Sequence, residues 1–196
     1  MEAIAEDRDW AIWIARSHML NFTGPICQVS GDSEQCYGGS DGIRTAGAGS
    51  IAIDAQGHLW IGGSGTLVEW QGKLIGESLL PGANAPDTNR GIDGVAVDAG
   101  GTVWAGVNRS GPGDGLLRFS IGRWSSYSTP GFTGANVRVR SLFVDRNDCL
   151  WVGTYNQGLY RIHGQTVDHL GRQDGLSGNS VYQIPQATRP NQRWIL

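Results

Sequence analysis

Along this chain, short apolar runs end in polar, glycine-rich turns and then begin again. The clearest case is Val144-Asp145-Arg146-Asn147-Asp148-Cys149-Leu150-Trp151-Val152-Gly153-Thr154. An apolar run closes on Asp145, a tight polar turn follows, and a second apolar run leads out. That pattern predicts strand, turn and strand. It returns at residues 53–62 and 97–106, more loosely at 5–15, and in worn form at the end, with Ile184 before the turn and Trp194 after it. The tryptophans Trp13, Trp60, Trp104, Trp151 and Trp194 mark the repeat, at spacings of 47, 44, 47 and 43 residues. In the first four copies an aspartate sits six residues before the tryptophan. A strand-bearing repeat of this period predicts a β-propeller, one four-stranded sheet per blade.

The pattern divides a single domain, residues 1–196, into blades at 3–49, 50–93, 94–140 and 141–180, with two strands of a fifth at 181–196. The expected fold is all-β: four blades of four antiparallel strands plus a half blade, a partial or open propeller. In the first blade the strands fall near 3–7, 11–15, 20–22 and 26–29. Residues 30–49 are the least repeat-like stretch, an elaborated loop or a degraded strand. Strands of the second blade fall near 50–53, 59–62, 66–70 and 73–78, those of the third near 94–98, 103–107, 115–120 and 123–128. Those of the fourth fall near 141–145, 150–154, 158–163 and 166–170.

The repeat has a physical logic. The first strand of each blade needs small or β-branched residues near a crowded axis, as in Ile51-Ala52-Ile53 and Val95-Ala96-Val97. The tryptophan packs between neighbouring blades. The aspartate bonds backbone amides two residues on, and Gly57 or Gly101 supplies a positive φ. Asp7, Asp54, Asp98 and Asp145 are thus structural; none has the carboxylate spacing of a calcium loop.

Composition narrows the picture. The 31 glycines and 8 tryptophans suit many short strands, and no window resembles an amphipathic helix. Fifteen basic against eighteen acidic side chains give a net charge of −3, with no basic stripe, which argues against a nucleic-acid partner. No apolar run approaches the ~20 residues of a membrane span. No basic segment followed by an apolar one opens the chain, so no export signal is read here. Cys27 and Cys36 flank a polar loop and could pair in an oxidising compartment. Cys149 reads as a small turn residue. No pair has zinc-ligand spacing, so neither metal nor cofactor is expected.

The unit Asp-x-x-Gly-x-Leu/Val-Trp-Ile/Val-Gly, then Gly-Leu-x-Arg, then Asp-Gly-Leu-x-x-Asn-Ser-Val resembles the two-component regulator propeller repeat. It is clearest at 145–154, at Gly158-Leu159-Tyr160-Arg161 and at 174–181, with Gly115-Leu116-Leu117-Arg118 in the third blade. The resemblance implies an extracytoplasmic, periplasmic sensor region of a bacterial histidine kinase, built of seven-bladed propellers, some of which sense oligosaccharides. This chain holds four and a half blades and no kinase, so it reads as a fragment of a larger sensor. The remaining blades and signalling domains would be its partners, and open sheet edges would favour self-association.

In a propeller the loops before each first strand and after each second strand gather at one mouth of the central channel, where ligands bind. Those loops carry Arg16, His18, Arg44, Arg90, Asn108, Arg109, Arg138, Arg140, Tyr155 and Asn156. Arginine and asparagine beside tyrosine suit a sugar or a carboxylate, since a guanidinium grips two oxygens at once. Arg138 and Arg140 alternate with Val137 and Val139 and are expected to project into the mouth. Asn179 is expected to cap backbone groups of the crossover instead. No catalytic residue is assigned, because His18, His58, His163 and His169 are scattered and no Gly-x-Ser-x-Gly occurs. The leading expectation is a non-enzymatic module sensing a small polar ligand such as an oligosaccharide. The alternatives are a lyase similar to streptogramin lyase, with His18 at the mouth, and a protein-interaction scaffold.

Overall fold

The structure is a computed structural model describing residues 3–16, 24–45 and 47–184. Four antiparallel four-stranded sheets succeed one another along the chain, each with its strands in sequence order. The first comprises β1 (Ala3–Glu6), β2 (Ile12–Ala15), β3 (Ile26–Ser30) and β4 (Ser33–Tyr37). The second comprises β5 (Ala48–Ile53), β6 (Leu59–Gly63), β7 (Thr66–Trp70) and β8 (Leu74–Leu79). The third comprises β9 (Ile92–Val97), β10 (Val103–Val107), β11 (Leu116–Ser120) and β12 (Arg123–Ser126). A two-stranded hairpin, β13 (Ser128–Thr129) and β14 (Phe132–Thr133), sits in the next crossover. The fourth sheet comprises β15 (Val139–Val144), β16 (Leu150–Thr154), β17 (Leu159–His163) and β18 (Thr166–Leu170).

The first strands β1, β5, β9 and β15 lie side by side around a channel of 720 Å³. Small and β-branched residues such as Ala3, Ala5, Ile51, Val95 and Val97 line it, as a crowded axis requires. The core sits between the blades, not within them. Trp13 packs against Ile51, Ile61, Val68 and Trp70 of the second blade. Trp60 packs against Val95, Val103, Leu117 and Phe119 of the third. Trp104 packs against Leu150, Val152 and Ile162 of the fourth. All three indoles are at least nine-tenths buried, whereas Trp151 is half-buried.

One carboxylate holds each blade's first turn. Asp145 Oδ1 accepts the amides of Asn147 and Cys149, at 2.9 and 3.0 Å, and Oδ2 accepts the Trp151 indole N–H at 2.8 Å. Asp54 does the same with Gln56, His58 and Trp60, and Asp7 with Asp9, Ala11 and Trp13. Asp98 accepts from Thr102 and Trp104. The six-residue spacing is therefore a reach: turn aspartate to indole across the first hairpin. The positive φ falls on Gly57 and Gly101, as expected, but on Trp10 and Asp148 in the other two copies.

The glycine after each tryptophan has a different cause. A Cβ on Gly62 would meet Ile92 O at 2.7 Å, and one on Gly153 would meet Val181 O at 3.0 Å. One on Gly106 would run into the Val139 side chain. Each glycine marks where the next blade's first strand passes against β6, β10 or β16. Ser50 and Ser141 stitch the same seam, donating to Ile92 O and Val181 O at 3.0 and 3.2 Å.

Two expectations for the first blade are corrected. Its third and fourth strands are residues 26–30 and 33–37, not 20–22 and 26–29; residues 20–22 lie outside the described ones. The stretch at 30–49 holds a true strand and then Asp41-Gly42-Ile43, whose geometry repeats at Asp174-Gly175-Leu176. In both, the aspartate accepts a glycine amide at 2.8 Å (Gly38, Gly171) and the following glycine has positive φ. The β3–β4 register sets Cys27 opposite Cys36, and the two form a disulfide. Of the half blade, residues 181–184 form no strand and residues 185–196, with Trp194, lie outside the described ones.

Two measurements test these forces. Burial pushes the carboxyls of Asp7, Asp54 and Asp145 up, but the indole and amide N–H groups outweigh it, and each ends below the ordinary 3.8. The folded state then binds fewer protons than the unfolded one. The resulting stability is present above the unfolded value and lost as pH falls through the lower folded value. Urea unfolding should show stability declining from about pH 4 downward. Asp145→Ala should cost about 1–3 kcal/mol at neutral pH, because the half-buried Trp151 indole N–H and two turn amides lose their acceptor; an unchanged urea midpoint would refute the anchoring role. Reducing the disulfide, whose sequence separation is 9, should cost about 2–3 kcal/mol, read as a lower melting temperature in dithiothreitol.

Candidate functional site

Three of the inner strands, β5, β9 and β15, carry an extra residue at the same mouth of the channel. In β5 the pairing steps from Ala48 opposite Gly63 to Ser50 opposite Gly62, leaving Gly49 out of register. In β9 it steps past Asp93, and in β15 past Arg140. These are β-bulges at one position of the repeat, and a bulge re-aims its side chain. The Val181 carbonyl meets Ser141 as the Ile92 carbonyl meets Ser50, so Tyr182 holds the corresponding place after Val181. Round the mouth the succession is glycine, aspartate, arginine and tyrosine, and all four residues line the channel.

The loops named from sequence meet here. Arg138 Nε donates to Asn108 O at 2.9 Å, and the Tyr155 amide to Arg138 O at 3.0 Å. Asn108 Oδ1 accepts the Gly91 amide at 3.2 Å. The Tyr155 hydroxyl donates to Asp93 Oδ2 at 2.6 Å, and Arg140 Nη1 lies 3.2 Å from the same oxygen. The Arg138 guanidinium lies over the Tyr155 ring at 4.7 Å, and Arg140 lies 5.6 Å from the rings of both Tyr155 and Tyr182. Cations and aromatic faces thus alternate. Burial, then the hydrogen bond and charge of Asp93, push the Tyr155 phenol up to about 12, so it remains a donor at neutral pH. Tyr182 is 68 % exposed, Arg138 is exposed, and Asp93 and Arg140 are half-buried. The mouth offers a carboxylate to accept hydroxyl donors, guanidiniums to grip oxygens and an open aromatic face.

Of the residues named from sequence, Arg138, Arg140, Tyr155 and Asn108 come together. Arg90 does not join them. It is buried, with Nε 2.8 Å from Asp114 Oδ1, Nη2 donating to Gly113 O at 2.8 Å and Nη1 to Pro81 O at 3.2 Å, and so clamps the crossover onto the 108–115 loop. Arg109 is exposed, 3.9 Å from Asp114. Arg16 pairs with Glu34. Arg44 and Asn156 are exposed and do not line the channel. His18 lies outside the described residues. Asn179 caps the Arg172 amide at 3.2 Å, as expected for a crossover residue. Sequence reasoning missed Asp93 and Tyr182. Their signal was the alignment of positions 49, 93 and 140, each the second residue of its inner strand, with position 182 just after Val181.

Residues 133–156 match the family model of the two-component regulator propeller, a span that includes Arg138, Arg140, Tyr155 and the whole Asp145–Trp151 turn. No curated protein matches the chain in sequence. Among solved structures it is similar to virginiamycin B lyase from Staphylococcus aureus, at 18 % identity and TM-score 0.63, over 86 % of this chain and 54 % of that one. It is also similar to the extracellular domain of a protein described as a one-component system from B. thetaiotaomicron, at 18 % identity and TM-score 0.66, over 92 % of this chain and 24 % of that one. A third is the extracellular domain of a protein described as a hybrid two-component system from the same organism, at 14 % identity and TM-score 0.64, over 89 % and 23 %. The chain thus spans about half of the lyase and about a quarter of each extracellular domain. Its fold is that of a β-propeller, and residues 133–156 carry a two-component regulator propeller repeat.

Proposed function

We propose that this propeller is the extracytoplasmic ligand-binding module of a two-component signalling protein. It takes a small polar ligand such as an oligosaccharide at the channel mouth and relays occupancy to an output domain elsewhere in the parent protein. The observation that carries the reading is that Asp93, Arg140 and Tyr182 line one end of a 720 Å³ channel, with Tyr155 bonded to Asp93 and Arg138 stacked on Tyr155 behind them. Carboxylate, guanidinium and tyrosine faces are the groups that recognise hydroxyls and ring faces of a sugar. The Cys27–Cys36 disulfide fits an oxidising compartment outside the cytoplasm. The likeness to extracellular domains of signalling proteins supports the same placement. The module binds without catalysis in this reading. Among the described residues, no histidine lines the channel. A lyase reading rests on the fold shared with virginiamycin B lyase and would require His18, so turnover abolished by His18→Ala would favour it.

A thermal-shift screen against oligosaccharides and small anions tests the proposal. A ligand that binds only the folded state raises the melting temperature with concentration. The expected outcome is a concentration-dependent rise that Arg138→Ala and Arg140→Ala each reduce, while their ligand-free melting temperatures stay near that of the parent chain. A flat screen on folded protein, or a shift indifferent to both substitutions, counts against the mouth as the binding site.

A further inference from the structure

At the opposite end of the second blade, away from the bulged mouth, three metal-ligating side chains come together in a way no other described blade repeats. His58 Nδ1 lies 2.7 Å from Glu69 Oε1 and 3.6 Å from Asp54 Oδ2. One donor atom from each of the three falls within 4.8 Å of the others. From these contacts we infer a site for a single divalent transition-metal ion, zinc by preference, held by Asp54, His58 and Glu69. One imidazole and two carboxylates form a nitrogen–oxygen donor set that suits such ions.

The sheet register shows how the site departs from the repeat. Glu69 stands opposite Trp60. The corresponding residues opposite Trp13, Trp104 and Trp151 are Gln28, Arg118 and Arg161. Arg118 and Arg161 place their guanidiniums 5.9 and 5.6 Å over their tryptophans, and Arg161 also feels the charge of its turn aspartate, Asp145. The second blade therefore carries an anion where the third and fourth carry a cation, next to an aspartate every blade keeps. His58 stands where the other blades have Ala11, Thr102 and Cys149, the residues whose amides close the same turn. Two departures thus fall in one blade, and together they supply a nitrogen and an oxygen to one point. A divalent ion there restores the positive charge that arginine provides elsewhere.

The donors are already held. Asp54 is fixed by the amides of Gln56 and His58 and by the Trp60 indole, at 2.8, 2.9 and 2.9 Å. His58 is tied back through the Asp54 amide, which donates to its carbonyl at 3.1 Å. Glu69 lies on β7, not on a loop. Side-chain exposures of 9, 25 and 23 % leave a path for the ion while limiting competition from water. A metal ion takes an unprotonated imidazole and ionised carboxylates, so protons compete with it and affinity should weaken as pH falls. This site is separate from the channel mouth, and its test does not depend on the ligand there.

Chelator-treated protein titrated with Zn²⁺ by calorimetry, with Ca²⁺ as comparator, tests the inference. The expected result is uptake of one Zn²⁺ per chain, weaker in acid than at neutral pH because protons compete for the ligands, and preference for Zn²⁺ over Ca²⁺. His58→Thr and Glu69→Arg install residues that sister blades already carry, so folding should survive; Glu69→Gln is the near-isosteric second choice. Each should weaken Zn²⁺ binding by at least about tenfold and remove the visible absorption of Co²⁺ bound in its place. No uptake by the parent chain would overturn the inference, leaving a His58–Glu69 ion pair only. Uptake unchanged in folded variants would overturn it equally, as adventitious binding.

Discussion

Everything in this fold hangs from a carboxylate shared between a turn and an indole. The aspartate closing each first strand accepts turn amides, two at Asp7, Asp54 and Asp145 and one at Asp98, and its second oxygen accepts the tryptophan N–H, so that these donors do not go unmatched. With both oxygens committed, the hairpin and the orientation of the tryptophan ring are set by one residue. The ring then faces the neighbouring blade, and the apolar clusters that hold the molecule together form between sheets. A four-stranded sheet of this size has little core of its own. The indole anchored by its own turn lets one blade supply the core of the next.

The close seam between blades follows from the same arrangement and imposes its own demand. With Trp60, Trp104 and Trp151 reaching outward, the residues two positions on lie where the next inner strand begins. Gly62, Gly106 and Gly153 leave room for it. Ser50 and Ser141 bond across it. β5, β9 and β15 are each bulged at their second position, so the residue re-aimed towards the channel sits at the same place in these three blades. The repeat thus builds a ring of variable residues on an invariant frame. The frame dictates where Gly49, Asp93, Arg140 and Tyr182 stand, and leaves their chemistry free.

That division explains what the sequence made legible. The aspartate–tryptophan spacing, the blade succession and the meeting of Arg138, Arg140, Tyr155 and Asn108 were readable because the frame recurs. The third and fourth strands of the first blade were misplaced because Ile26–Ser30 and Ser33–Tyr37 lack the Gly-Leu-x-Arg signature. Only the register that sets Cys27 against Cys36 identifies them. Arg90 looked like a mouth residue because it precedes an inner strand. Its side chain turns back to Asp114, a partner 24 residues away that no local pattern discloses. Asp93 escaped notice because acidic residues in this chain are mostly turn formers. Its role depends on a bulge, and a bulge is a property of two strands, not of one.

The His58–Glu69 pair was invisible for a related reason. Its members are eleven residues apart, one in the turn before β6 and one on β7, and each alone fills a repeat position that tolerates substitution. Only when the blades are superposed by register does the second one differ at both positions at once. The same superposition separates two kinds of variation. The three bulge residues and Tyr182, which holds the equivalent place, all differ and share one channel, so variation there changes a single composite surface. Beside the tryptophan, each blade's choice acts on its own turn aspartate, and the exchange of arginine for glutamate reverses the charge at a spot where the aspartate never changes. A structure repeated this often turns each local departure into an internal comparison, with the sister blades as the controls.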